Sequence, residues 1–265
     1  MRRIIRSLLY TFACASAIAL LSGARGNTAV AGTTVSGYIS TDTTWTAANS
    51  PYSVTGNVIV RSGATLTIEP GVTMNFDADK SLQIDGTLIA KGTSASSITF
   101  TSVSTSTKWA YILFNDSSID ATYDRSGNYL SGSIMEYCVV EYAGGTSVSD
   151  NGAIRLNNAH PCINYCTIRN NSAPGVYAYN ISGALKITNS TITDNNNNAS
   201  VTVAHAKGAG IYVSHSSGGA TTISGNTIKN NTASYYGGVY TYSGTVTLTN
   251  NTIRGNTAST AGGVF

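Results

Sequence analysis

Two stretches of the chain align without gaps: Ile228-Lys-Asn-Asn-Thr-Ala-Ser-Tyr-Tyr-Gly-Gly-Val-Tyr240 and Ile253-Arg-Gly-Asn-Thr-Ala-Ser-Thr-Ala-Gly-Gly-Val-Phe265, 25 residues apart. Looser copies put Val140, Ile168 and Ile192 in the same register as Ile228 and Ile253, with successive gaps of 28, 24, 36 and 25 residues. A coil of about 25 residues carrying loop insertions, the longest from Asn196 to Gly208, explains those gaps. A repeat this short, holding two or three strands separated by Asn and Gly, cannot bury its own apolar face, so it must stack on its neighbours. Stacking gives parallel strands about 4.8 Å apart, and strand twist makes the winding right-handed. The expectation is an all-β chain: a right-handed parallel β-helix, a solenoid with an N-terminal capping segment.

Composition agrees. Only 10% of the residues are charged, 27 are glycine and four are proline. The mass of Thr, Ser, Asn, Val, Ile and Tyr favours strands joined by tight turns. Asn171, Asn195, Asn231 and Asn256 fall three residues after the stacked aliphatics, where asparagine tolerates a left-handed turn and hydrogen-bonds along the stack. They are expected to form a structural ladder, and Gly175, Gly210, Gly238 and Gly263 to serve turns.

The first residues stand apart from the repeats. Arg2, Arg3 and Arg6 precede an apolar run from Leu8 to Leu21 and then small residues, the layout of a secretory signal peptide. It spans residues 1–24, with residue 31 as the alternative end, and the run is short for a membrane span. The mature chain is therefore expected outside the cell or on the outer cell surface, with no integral membrane segment. Cys14 lies inside the run, which argues against a lipoprotein anchor. Removing residues 1–24 lowers the basic count from 15 to 12, equal to the 12 acidic residues, so no nucleic-acid partner is expected.

Residues 32–102 read as an N-terminal cap and first coils, with Val35 to Val54 as the segment that covers the open first rung. Residues 103–265 read as the β-helix repeats. Because Phe265 stops in mid-repeat, the expectation is a truncated product lacking further coils, a cap or an anchor. Cys138, Cys162 and Cys166 have no CxxC spacing and no paired histidines, so no metal site is expected. Cys138 and Cys166 share a register, which makes them the sole feasible bridge, whereas Cys162 faces outward.

The motif Ile-x-x-Asn-Thr-Ala followed by Gly-Gly-Val-Tyr or Phe resembles the repeats of parallel β-helix proteins of the pectate-lyase-like superfamily, in particular the polymorphic outer-membrane protein type. Thr43-Thr-Trp-Thr-Ala-Ala-Asn-Ser-Pro-Tyr52 and Leu66-Thr-Ile-Glu-Pro-Gly-Val-Thr-Met-Asn-Phe76 are similar to the opening module of secreted bacterial β-helix proteins. The resemblance is specific for fold and weak for activity. It implies a polysaccharide lyase or glycoside hydrolase as one reading, with calcium as the cofactor only in the case of a lyase. The residues do not supply the machinery. After Glu141 the repeats offer only Asp150 and Asp194, in separate coils, with no Asp-Asp pair and no Gly-His-Gly. Asp116, Asp120 and Asp124 form a local acidic group that reads as a solvated loop, and His160, His205 and His215 read as surface residues. No catalytic residue is assigned and no cofactor is expected.

The registers do define outward columns. In Ala153-Ile-Arg-Leu156 the alternation points Ile154 and Leu156 inward and Arg155 outward. The first outward column then reads Arg155, Tyr177, Tyr212, Tyr240 and Phe265, and the second Asn157, Tyr179, Ser214 and Tyr242. Exposed aromatic rows can stack on sugar rings, and they can equally reinforce a sheet. A third column reads Glu141, Arg169, Thr193, Lys229 and Arg254, where Arg169, Lys229 and Arg254 are either solvated or available to an anionic polymer. The expected function is thus a β-helix that binds polysaccharide or another surface through Arg155, Tyr177, Tyr179, Tyr212, Tyr240, Tyr242, Arg169, Lys229 and Arg254.

Overall fold

The computed structural model describes residues 32–145, 152–197, 208–216 and 218–265. The leader, Asp150 and His205 lie outside the described residues.

Each coil contributes one strand to an eight-stranded sheet and two to a fifteen-stranded one. Ala184–Thr188, Thr191–Thr193 and Ile211–His215 make one such coil, and Ala220–Ser224, Thr227–Lys229 and Val239–Tyr242 the next. The two halves of the larger sheet join through Tyr52–Val60, whose first residues pair with Thr73–Phe76 and whose last pair with Leu82–Ile84. The coil-to-coil pairings are parallel, and Val140, Ile168, Ile192, Ile228 and Ile253 stack rung on rung. No α-helix occurs among the described residues; the only helical turn is 3-10, Ala47–Asn49.

Alternation drives the packing. In Ala184–Thr188 the side chains of Leu185 and Ile187 are buried and those between them are not, as period-two strands with one wet face require. The inward residues form one continuous core from Trp45 to Val239. Its wide early coils are filled by Phe76, Phe100, Trp109 and Phe114. Trp109 stacks on Phe76 at 4.3 Å and donates its indole N–H to Glu141 O at 2.7 Å. At the N-terminal end Thr33–Ile39 and Thr43–Trp45 form the first rungs of the two sheets, with Trp45 stacked on Tyr52 at 5.0 Å.

The asparagine ladder is present. Asn195 Nδ2 donates to Asn231 Oδ1 at 2.9 Å and to Ile168 O at 3.1 Å, while its own Oδ1 accepts from Asn171 Nδ2 at 2.8 Å. A second ladder, which the spacing did not suggest, runs along the opposite turn. Asn226 N–H donates to Asn251 Oδ1, Ser190 N–H to Asn226 Oδ1 and Cys166 N–H to Ser190 Oγ. The column glycines lie at bends, and three of them, Gly175, Gly210 and Gly238, also allow a close approach of the next rung. A Cβ at Gly210 or Gly238 would run into the carbonyl of the next rung, Gly238 O or Gly263 O.

Three expectations are corrected. His160 and His215 are buried, not on the surface. His160 Nε2 accepts from Gly183 N–H at 2.8 Å and Nδ1 faces Asp120 Oδ2 at 2.7 Å, while His215 lies between Ser243 O at 2.9 Å and Thr221 Oγ1 at 3.0 Å. Cys138 and Cys166 are free thiols. Their Sγ atoms turn to backbone carbonyls, Ala90 O at 3.4 Å and Met135 O at 3.3 Å. Cys162 stands opposite Lys186 on the outward side of its strand, yet it is buried, because an inserted hairpin covers it.

Candidate functional site

The first outward column stacks as its register demands: Arg155 opposite Tyr177, Tyr177 opposite Tyr212, and Tyr212 opposite Tyr240. It is not an open platform. Tyr212 and Tyr240 are only 9% and 5% exposed, because each ring packs its faces on its neighbours. Ring centroids are 4.5 Å apart for Tyr177 and Tyr212 and 5.1 Å for Tyr212 and Tyr240, and Tyr236 and Phe265 close over the end at 4.6 and 5.8 Å from Tyr240. Within the first column Tyr177 is half-buried and the last ring, Phe265, is exposed, and the second column adds the exposed rings of Tyr179 at 51% and Tyr242 at 62%. That column is broken by a bulge after Ala178, and Ser214 within it is buried.

Where the column begins, the surface opens into a cleft of about 390 Å³. Its walls are Arg155, Asn157, Tyr177 and Tyr179 from two adjacent strands, together with Leu113 from the strand below and Asn115 just past that strand's end. Arg155 lays its guanidinium over the Tyr111 ring, 4.5 Å from the centroid. The cleft thus offers an apolar floor, one cation and two amides, the mixture that a sugar's apolar face and polar rim can use. Leu113 and Asn115 escaped the sequence reading because 42 residues separate Leu113 from its register partner Arg155.

The third column also stacks as registered, but its members differ in use. Arg169 Nε is 2.9 Å from Glu141 Oε2, so that charge is answered within the column. Thr193 is buried and donates to Asp194 Oδ2 at 2.6 Å. Lys229 stands opposite Arg254, and neither forms an ion pair among the described residues.

The acidic group is dispersed. Asp116 accepts from Asn158, Asp120 from His160 and Asp124 from Asn128. Among the described residues no cluster of three potential metal ligands exists.

Parallel coils, inward aliphatic stacks and an asparagine ladder define a parallel β-helix. The model of the family described as "Right handed beta helix region" matches residues 41–253, and the chain belongs to that family. No curated protein and no solved structure matches it.

Proposed function

We propose that the protein is a secreted or cell-surface β-helix that binds polysaccharide without cleaving it. The observation that carries this reading is the cleft in which Arg155, Asn157, Tyr177 and Tyr179 converge with Leu113 and Asn115. Lys229 and Arg254, which form no ion pair among the described residues, supply a second contact for an anionic chain. The N-terminal layout, with Arg2, Arg3 and Arg6 before the apolar run, supports the location.

The test is retention of the mature chain in affinity electrophoresis on a panel of acidic and neutral polysaccharides, with and without calcium. Retention without product is expected, and Tyr179→Ser is expected to weaken it on the polymer that binds. Product release in either condition would replace this reading with a lyase or hydrolase. Unaltered mobility on every polymer would leave a structural stalk.

A further inference from the structure

The eight-stranded sheet carries a second, larger cleft. The chain after Phe114 folds into an antiparallel hairpin, Thr122–Tyr123 with Tyr129–Ser131. Together with the outward faces of Ile134–Glu136, Cys162–Asn164 and Ala184–Thr188, it encloses about 690 Å³, within the roughly 300–1,000 Å³ of small-ligand sites. Two lysines hold the hairpin. Lys186 Nζ lies 3.8 Å from the centroid of Tyr123 and donates to Gly127 O at 3.3 Å, and Lys91 Nζ lies 5.5 Å from the centroid of Tyr129.

Neither ring nor carbonyl neutralises a cation. The one carboxylate in the lining is Glu136, 4.0 Å from Lys91. The lining therefore carries one positive charge in excess, and Lys186 meets no carboxylate among the described residues.

The aromatic edge is held at a conformational cost. Tyr137 and Tyr165 stack at 4.8 Å with planes 5° apart, both at positive φ, 48° and 51°, a region bulky side chains rarely occupy. The same position in the following coils is Asn189, Gly225 and Asn250, residues suited to it. Tyr165 lines the cleft and is 45% exposed. Between the hairpin and the sheet, the buried Tyr123 hydroxyl lies beside the Cys162 thiol and has no hydrogen-bond partner of ordinary geometry.

We infer that this cleft binds a sugar ring bearing one negative charge, as a sulfate ester or a carboxylate, with the anion at Lys186 and the ring's apolar face on Tyr165. A neutral sugar would leave the lysine partly desolvated and unanswered. A phosphate monoester, at about −1.5 to −2, would exceed the excess charge. Thr188, Thr222 and Ser224 in the lining offer hydroxyls to those of the ring.

The site is separate from the Arg155 cleft, so either can fail alone. The experiment is an NMR titration of the full chain with galactose 6-sulfate, galacturonate, galactose 6-phosphate and galactose. At least one of the first two is expected to bind ten or more times tighter than galactose, and their ratio tells sulfate from carboxylate. Lys186→Met should abolish that preference, whereas Lys186→Arg and Arg155→Met should keep it. Tyr165→Asn, which installs the residue of the next coil, should melt no lower than the parent and bind at least fivefold more weakly. The proposal is overturned if neither anionic sugar outbinds galactose, if galactose 6-phosphate binds tightest, if the loss follows Arg155→Met, or if Tyr165→Asn binds like the parent.

Discussion

Tyr177 and Tyr212 sit on adjacent rungs with ring centroids 4.5 Å apart and planes 15° from parallel. A tyrosine stacked in this way offers a ligand its edge and hydroxyl, not its face. The interior of the tyrosine column is therefore a structural device, an aromatic stack that runs outside the sheet much as the asparagine ladder runs within the turn. Such cross-strand aromatic pairs contribute roughly 0.2–1 kcal/mol each, and burial of the rings adds to that.

Tyr212→Ser is accordingly expected to lower stability by about 2–4 kcal/mol, the range for truncating large buried side chains. Tyr179→Ser, at an exposed position, should stay within about 0.5 kcal/mol of the parent. Thermal melts of the two variants beside retention on polysaccharide separate the roles. Tyr212→Ser melts early yet is retained while folded, and Tyr179→Ser melts normally and is retained less. The reverse pattern would restore Tyr212 as a binding residue.

Asn231 is fully buried and makes four ladder contacts. Its Nδ2 donates to Ile192 O at 3.0 Å and Asn256 Oδ1 at 2.9 Å, and its Oδ1 accepts from Asn195 Nδ2 and Asn195 N–H. Asn231→Ala strands several of these partners away from water, at about 1–3 kcal/mol for each buried group left unsatisfied. A total loss of about 3 kcal/mol is expected in denaturant unfolding. A loss below about 1 kcal/mol would mean that water replaces the amide and the ladder is dispensable.

The fold was legible because its determinants repeat. Ile228 and Ile253, with Asn231 and Asn256 three residues on, announce a coil length, and coil length fixes which residues stack. The candidate site was legible only in part. Alternation tells whether Tyr240 leaves the core, and it does, but not what covers it outside: Tyr236 does so from another position of the repeat, together with Phe265 from the same position one coil on. The hairpin cleft escaped notice for the opposite reason. Its cover occurs once, in the insertion before Ile134, so no periodicity marks it, and Lys186 gains its meaning only from Tyr123 and Gly127 far along the chain. His215 shows the same limit, since nothing local indicates that Thr221 and Ser243 will enclose it.

The thiols should be unreactive: Cys166 is buried out of reach of reagent, and at the other two sites burial also disfavours the thiolate. Burial raises Cys138 well above the ordinary thiol value, and the neighbouring Cys166 adds to the effect. Burial also pushes Cys162 up to about 11, although the Tyr123 hydroxyl and Lys186 oppose it. Only the thiolate reacts at an appreciable rate. Iodoacetamide at pH 8 is expected to leave Cys138, Cys162 and Cys166 unmodified in the folded chain and to modify all three in denaturant without reductant. Mass spectrometry finding a Cys138–Cys166 bridge would contradict the free thiols, and a bridge through Cys162 would contradict the coil register itself.

Acid should act through Asp120, which holds the start of the hairpin insertion against the next coil. Its Oδ1 accepts from His160 N–H at 2.8 Å and its Oδ2 faces His160 Nδ1 at 2.7 Å. Since His160 Nε2 accepts from Gly183 N–H, the ring proton belongs on Nδ1, where it is donated to the carboxylate. Burial raises the Asp120 carboxyl, but the side-chain bond, the backbone bond and the charge interaction with His160 together outweigh it, and the group is held below its usual value. A carboxyl whose folded value is depressed contributes stability that is present above its unfolded value, about 3.9, and that disappears as pH falls through the lower folded value. Because Asp120 is half exposed, water screens the interaction, and the contribution at pH 7 is expected to be about 1 kcal/mol. Asp120→Asn should therefore melt below the parent from pH 7 to pH 5, and the two curves should converge once the pH falls below the depressed folded value of the carboxyl. A gap that stays constant through that fall would show that the amide serves as well as the carboxylate and that charge plays no part in the anchor.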